Sequence, residues 1–91
     1  MYYSVYNNER SQRKEGKHMP WKPARMLRFL KKHGFVEISR YTRKGTSHIK
    51  LINHQNGRYT EVPMHKGKEL KKGIQEGILK QAGLVEEARS E

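Results

Sequence analysis

Two glycine-centred turns, Arg43 to Thr46 and His54 to Gly57, cut the segment from Phe35 to Pro63 into three short stretches, and few folds tolerate that spacing. Within each stretch polar and apolar residues alternate closely enough for half-buried strands. His54-Gln55-Asn56-Gly57 is read as a hairpin turn, Asn-Gly being the strongest short signal for one. Connections this short join only antiparallel neighbours. The expectation is a three-stranded meander over 35–42, 47–53 and 58–62, with Pro63 ending the third strand. Val36 and Ile38, Ile49 and Leu51, and Thr60 and Val62 are assigned to its buried face.

Helical periodicity flanks the meander. Upstream, Pro23 suits a first helical turn, where its missing N–H is no loss. Met26, Leu27, Phe29 and Leu30 then share one arc, while Arg25, Arg28, Lys31 and Lys32 share the opposite arc. Gly34 is the expected left-handed cap, and the basic arc is read as a solvated face. Downstream, a second helix is expected from about Ile74 to Ala82, with Ile74, Ile78 and Ala82 inward and Gly83 as its cap. The acidic end, 84–91, is expected to fray. The fold class is therefore α+β, in the order α-β-β-β-α: a three-stranded antiparallel sheet with two helices on one face and the other face open. The domain is assigned to 19–84, after a flexible polar leader (1–18) and before a C-terminal tail (85–91).

Charge narrows the partner. Twenty Lys and Arg stand against nine Asp and Glu, a net charge of +11, and such chains bind polyanions by releasing counterions from phosphates. No apolar run approaches the roughly 20 residues that span a bilayer, and residues 1–17 lack the apolar stretch of a secretory signal. Nucleic acid is the expected partner, with no membrane. The absence of cysteine excludes disulfides, thiolate–metal sites and a cysteine nucleophile, and it fits a cytoplasmic location. The five histidines have no carboxylate partners at ligand spacing, so neither a metal nor another cofactor is expected.

On the open face, strand parity gathers His48, Lys50, Tyr41 and Tyr59, flanked by the Arg43-Lys44 turn. A histidine titrates near neutrality and can take a proton from a ribose 2′-OH or give one to a leaving 5′-oxygen. A nearby ammonium can stabilise the charge that builds on phosphorus, which makes Lys50 the candidate partner and Lys44 the second choice. Glu37 and Glu61 are expected on the same face, salt-bridged to Lys50. Ser47 points the other way and is expected to tie down the Gly45 turn through its hydroxyl. A second cluster, Lys66, Lys68, Lys71 and Lys72, precedes a helix N-terminus whose free N–H groups favour anions, and it is read as a phosphate contact. The residues alone leave open a nuclease without metal and a non-catalytic RNA-binding module. A DNA-binding role ranks below both, for want of a recognition helix.

The ordered set of local motifs also resembles a known family. It runs from Lys-Lys-His-Gly-Phe (31–35) through Ser47-His48 and Asn56-Gly57-Arg58 to Val-Pro-Met-His-Lys-Gly (62–67). It continues with Glu-Leu-Lys-Lys-Gly (69–73) and ends at Ile-Leu-Lys-Gln-Ala-Gly (78–83). Over Trp21 to Gly83 this is similar to the HicA family of toxins from bacterial toxin–antitoxin pairs. The resemblance implies a double-stranded-RNA-binding-domain-like fold and ribonuclease action on mRNA. It implies that the catalytic histidine of the family's Gly-Ser-His motif is His48, and that a HicB-type antitoxin protein covers the site. The chain departs from that motif where Thr46 separates Gly45 from Ser47-His48.

Overall fold

The computed structural model describes residues 19–91, and the expectations for the leader fall outside them. Three antiparallel strands lie in the order β1-β2-β3: β1 (Val36–Arg43), β2 (Thr46–Asn53) and β3 (Arg58–Met64). They follow α1 (Pro23–Lys32) and precede α2 (Lys72–Ala82) and a short α3 (Val85–Arg89). This is the expected α+β meander with flanking helices, plus one helix. No helix among the described residues is long and apolar enough to cross a membrane.

The core lies between the helices and the strands β2 and β3. Met26, Phe29 and Leu30 of α1 meet Ile49, Leu51 and Val62 of the sheet and Ile78, Leu79 and Ala82 of α2, all buried. Gly34, with φ 95°, stops α1 and reverses the chain. There the N–H of Phe35 donates to the Leu30 carbonyl and that of Gly34 to the Lys31 carbonyl, the two bonds of a Schellman cap. Leu70 enters the core from the basic loop, and its N–H donates to the Trp21 carbonyl at 2.8 Å. The lysine-rich loop is thus pinned at its far end.

Four expectations need correction. Val36 and Ile38 are not core residues; they are 45% and 51% exposed. Glu37 pairs with Leu51 but Ser39 pairs with Lys50, so Ile38 is the extra residue of a β-bulge. One inserted residue reverses strand parity, which carries Val36 to the open face opposite Ile52. Pro63 does not end β3, which pairs through Pro63 and Met64 with His48 and Ser47. β3 is an edge strand, where a missing N–H is tolerated.

The second helix starts at Lys72, not Ile74, and Ile74 is exposed while Gln75 is buried. Gln75 takes the inward place because its amide is satisfied at both ends. Its Oε1 accepts from the Trp21 N–H at 2.8 Å, and its Nε2 donates to the Met19 carbonyl at 2.9 Å. Finally, residues 85–89 are helical, not frayed. Leu84, Val85 and Ala88 pack against the core, and Glu86 and Glu87 occupy a first turn where the helix dipole favours acid.

Candidate functional site on the open sheet face

The β1–β2 hairpin sets the register of the open face. Its two-residue turn, Lys44-Gly45, has φ of 51° and 79°, the pair of positive values of a type I′ turn. Glycine takes this conformation freely, whereas Lys44 pays roughly 1 kcal/mol for it. Thr46 is the first residue of β2 and no part of the turn. From there β2 alternates: Ile49 and Leu51 are buried, while His48, Lys50 and Ile52 face the other way.

Cross-strand pairing arranges the open face in three rows. Tyr41, His48 and Pro63 form one, Ser39, Lys50 and Glu61 the next, and Val36, Ile52 and Tyr59 the third. The Tyr41 and His48 rings stack, with centroids 5.1 Å apart and planes 15° apart. The Lys50 ammonium sits over the Tyr41 ring, 5.2 Å from its centroid. His48, Lys50, Tyr41 and Tyr59 therefore share one surface. Ser47 lies on the opposite face, paired with Thr42 and Met64, and its hydroxyl makes no hydrogen bond to the turn among the described residues.

Glu61 is the hub of this surface, in a role the sequence reading missed. Both oxygens are occupied: the Tyr41 hydroxyl donates to Oε1 at 2.7 Å and the Tyr59 hydroxyl to Oε2 at 2.6 Å. Its expected salt bridge with Lys50 does not form, and Lys50 acts on it only through space. Glu37 is not on this face; it pairs with Arg40 at 3.1 Å near the β1 edge. The hydroxyl of Tyr59, then that of Tyr41, holds the Glu61 carboxyl below the usual range. These two bonds push the Tyr59 hydroxyl up to about 12 and raise that of Tyr41. The stabilisation from Glu61 is present above the ordinary carboxylate range and is lost as pH falls through its depressed value. That from Tyr59 is present below pH 10 and is lost as pH rises towards 12. Between those limits Glu61 is an anion. His48 Nδ1 lies 3.9 Å from its Oε1, within ion-pair range once the ring is protonated.

A groove of about 340 Å³ opens beside this cluster. His48, Tyr59, Glu61 and Pro63 form its sheet side, and Gly73, Ile74 and Gly77 of α2 lie across from them. An interior helical glycine costs about 1 kcal/mol relative to alanine, yet a Cβ at Gly73 or Gly77 would meet no neighbour within 4 Å. The two glycines leave the groove wall bare instead of admitting a close backbone contact.

The remaining candidates lie around this centre. Arg43 ends β1 and Lys44 forms the hairpin tip, both exposed. Lys66 and Lys68 lie exposed in the β3–α2 loop, Lys71 is the exposed N-cap of α2, and Lys72 is its first residue. No acidic side chain occupies the first turn of α2 and no side chain caps it, so its N–H groups remain available to an anion. Among the described residues, no three His, Cys, Asp or Glu are grouped so as to hold a metal ion.

A family model described as the HicA toxin of bacterial toxin–antitoxin matches residues 23–84, from the first residue of α1 past the end of α2. The chain belongs to the HicA toxin family. Every residue of the open-face cluster and every lysine of the α2 approach lies inside the matched span. HicA toxins are generally ribonucleases, and membership gives this chain the toxin role in a toxin–antitoxin system, with an antitoxin as its partner in general terms. Neither the curated proteins nor the solved structures yield a match.

Proposed function

We propose that this HicA protein is an endoribonuclease that cleaves mRNA in the cytoplasm without metal and is held in check by a HicB-type antitoxin. The observation that carries the reading is the position of His48: it lines a groove shared by the open sheet face and α2, in a chain of net charge +11. RNA brings its own nucleophile. The 2′-oxygen attacks phosphorus and gives up its proton while the bond to the 5′-oxygen breaks and that oxygen gains one. A 2′,3′-cyclic phosphate and a 5′-hydroxyl result. His48 is assigned one of the two proton transfers, and Lys50, one row along the same face, the charge on the non-bridging oxygens.

Arg43 and Lys44 on one side and Lys66, Lys68, Lys71 and Lys72 on the other are assigned to backbone phosphates, which position RNA without reading its sequence. The same charge speeds docking of an acidic antitoxin over His48. The non-catalytic RNA-binding module is the second reading, and it accounts equally for the lysines.

One experiment tests both halves. Purified chain is incubated with mixed-sequence RNA in EDTA, and affinity is measured across a salt series on RNA that cannot be cleaved. Cleavage should proceed in EDTA. Replacing Lys71 and Lys72 with Ala should weaken binding of all RNAs alike and flatten the salt slope by roughly one to two units. Intact RNA would remove the reaction and leave the binding module; an unchanged affinity and slope would remove the lysines from the interface.

A further inference from the structure

We infer that Glu61 is a positioning residue for His48: clamped by Tyr41 and Tyr59, it turns Nδ1 of the imidazole towards itself, leaves Nε2 to the RNA, and stabilises the ring when it carries a second proton. This rests on the proposed proton-transfer role of His48 and names the group that orients it.

Three features support it. Two tyrosine hydroxyls from the two outer strands fix the carboxylate, one on each oxygen. The Oε1 that accepts from Tyr41 is the atom 3.9 Å from His48 Nδ1. Tyr41 also stacks on the His48 ring, so one tyrosine orients both the imidazole and its carboxylate partner. A neutral imidazole has one N–H and one bare nitrogen, and the group facing one nitrogen decides which is which. An anion facing Nδ1 favours the Nδ1–H tautomer, with Nε2 bare and able to accept a proton. The clamp also keeps Glu61 ionised under ordinary conditions, as its depressed carboxyl indicates.

The other charged groups around the pair are few. Lys50 faces it from β2 and the Tyr41 and Tyr59 hydroxyls from β1 and β3, while Arg43 acts on Tyr41. The α2 wall, with Gly73, Ile74, Gly77, Ile78 and Gln81, carries no ionisable side chain. Glu61 is thus the one anion in the cluster, set against two cations, and its loss would leave a protonated His48 with no counter-charge.

The test compares Glu61→Gln, Glu61→Asp and Tyr59→Phe with the wild-type chain by two measurements. The first is the steady-state kinetics of cleavage. Glu61→Gln should lower kcat roughly tenfold with KM for RNA unchanged. Glu61→Asp restores the charge and should recover most of kcat; Tyr59→Phe should fall between. The second is the proton–nitrogen correlation spectrum of the His48 imidazole, read without substrate. The wild-type chain should show the Nδ1–H tautomer, and Glu61→Gln should lose that preference. Should kcat and the spectrum of Glu61→Gln both match wild type while His48 remains essential, the positioning role is wrong and the nuclease reading survives. A rise in KM alone would make Glu61 a binding residue and also overturn it. Should the wild-type chain cut no RNA, the nuclease reading fails, and the spectra still decide whether Glu61 sets the tautomer.

Discussion

Replacing His48 with alanine should leave the domain folded and RNA bound while cleavage falls by about 10² or more, the scale of a general acid–base group. The fold should survive because the side chain of His48 supports little. It stacks on Tyr41, faces Glu61 at 3.9 Å and is 20% exposed, outside the buried core. Affinity should hold because the positive charge resides in the lysines and arginines around it. Single-turnover rates at saturating protein, with circular dichroism and RNA affinity measured in parallel, separate the possibilities. A loss of rate at constant affinity identifies catalysis. A modest loss of affinity with no separate effect on rate would identify the binding module instead.

The second large effect concerns stability. Leu51→Ala should cost about 2–5 kcal/mol, because Leu51 is fully buried on the middle strand, between Glu37 on β1 and Thr60 on β3. Against the roughly 5–15 kcal/mol that holds a typical domain together, such a loss leaves much of a small protein unfolded. Val36→Ala should stay within about 0.5 kcal/mol, as exposed substitutions do. Urea unfolding of the two variants tests the register directly. Equal losses would mean that β1 packs with Val36 inward and that the bulge at Ile38 is absent.

That pair of residues marks how far the sequence can be read. Turn chemistry and alternation were enough for the meander, because Lys44-Gly45 and Asn56-Gly57 fix the hairpins and Ile49 and Leu51 fix the face of β2. The bulge was not legible. Nothing in Val-Glu-Ile-Ser announces an inserted residue, and one insertion reverses every parity assignment before it. The parity of Tyr41, after the bulge, came out right for the same reason that Val36 came out wrong. Gln75 was equally hidden, since an amide is buried only when partners distant in sequence, here Met19 and Trp21, come to meet it.

The candidate site was more legible than its wiring. Alternation placed His48, Lys50, Tyr41 and Tyr59 on one face, because β2 and β3 pair without a break. Glu61 was placed there too, but with Lys50 as its partner. Opposite charges in adjacent strands make that the natural choice, and only the geometry shows both carboxylate oxygens taken by hydroxyls. The Gly73 and Gly77 spacing, four residues apart on one helix, was the available signal for a bare groove wall.

The most direct test is a defined RNA in which the nucleotide at one mapped cleavage position carries 2′-deoxyribose, incubated with wild-type chain in EDTA. Cleavage at that position should stop entirely while neighbouring sites are cut as before, and the products from those neighbouring sites should carry 2′,3′-cyclic phosphate and 5′-hydroxyl ends. Cutting at the deoxy position, or 5′-phosphate products that vanish with EDTA, would mean that water or a metal supplies the nucleophile and would contradict the role given to His48.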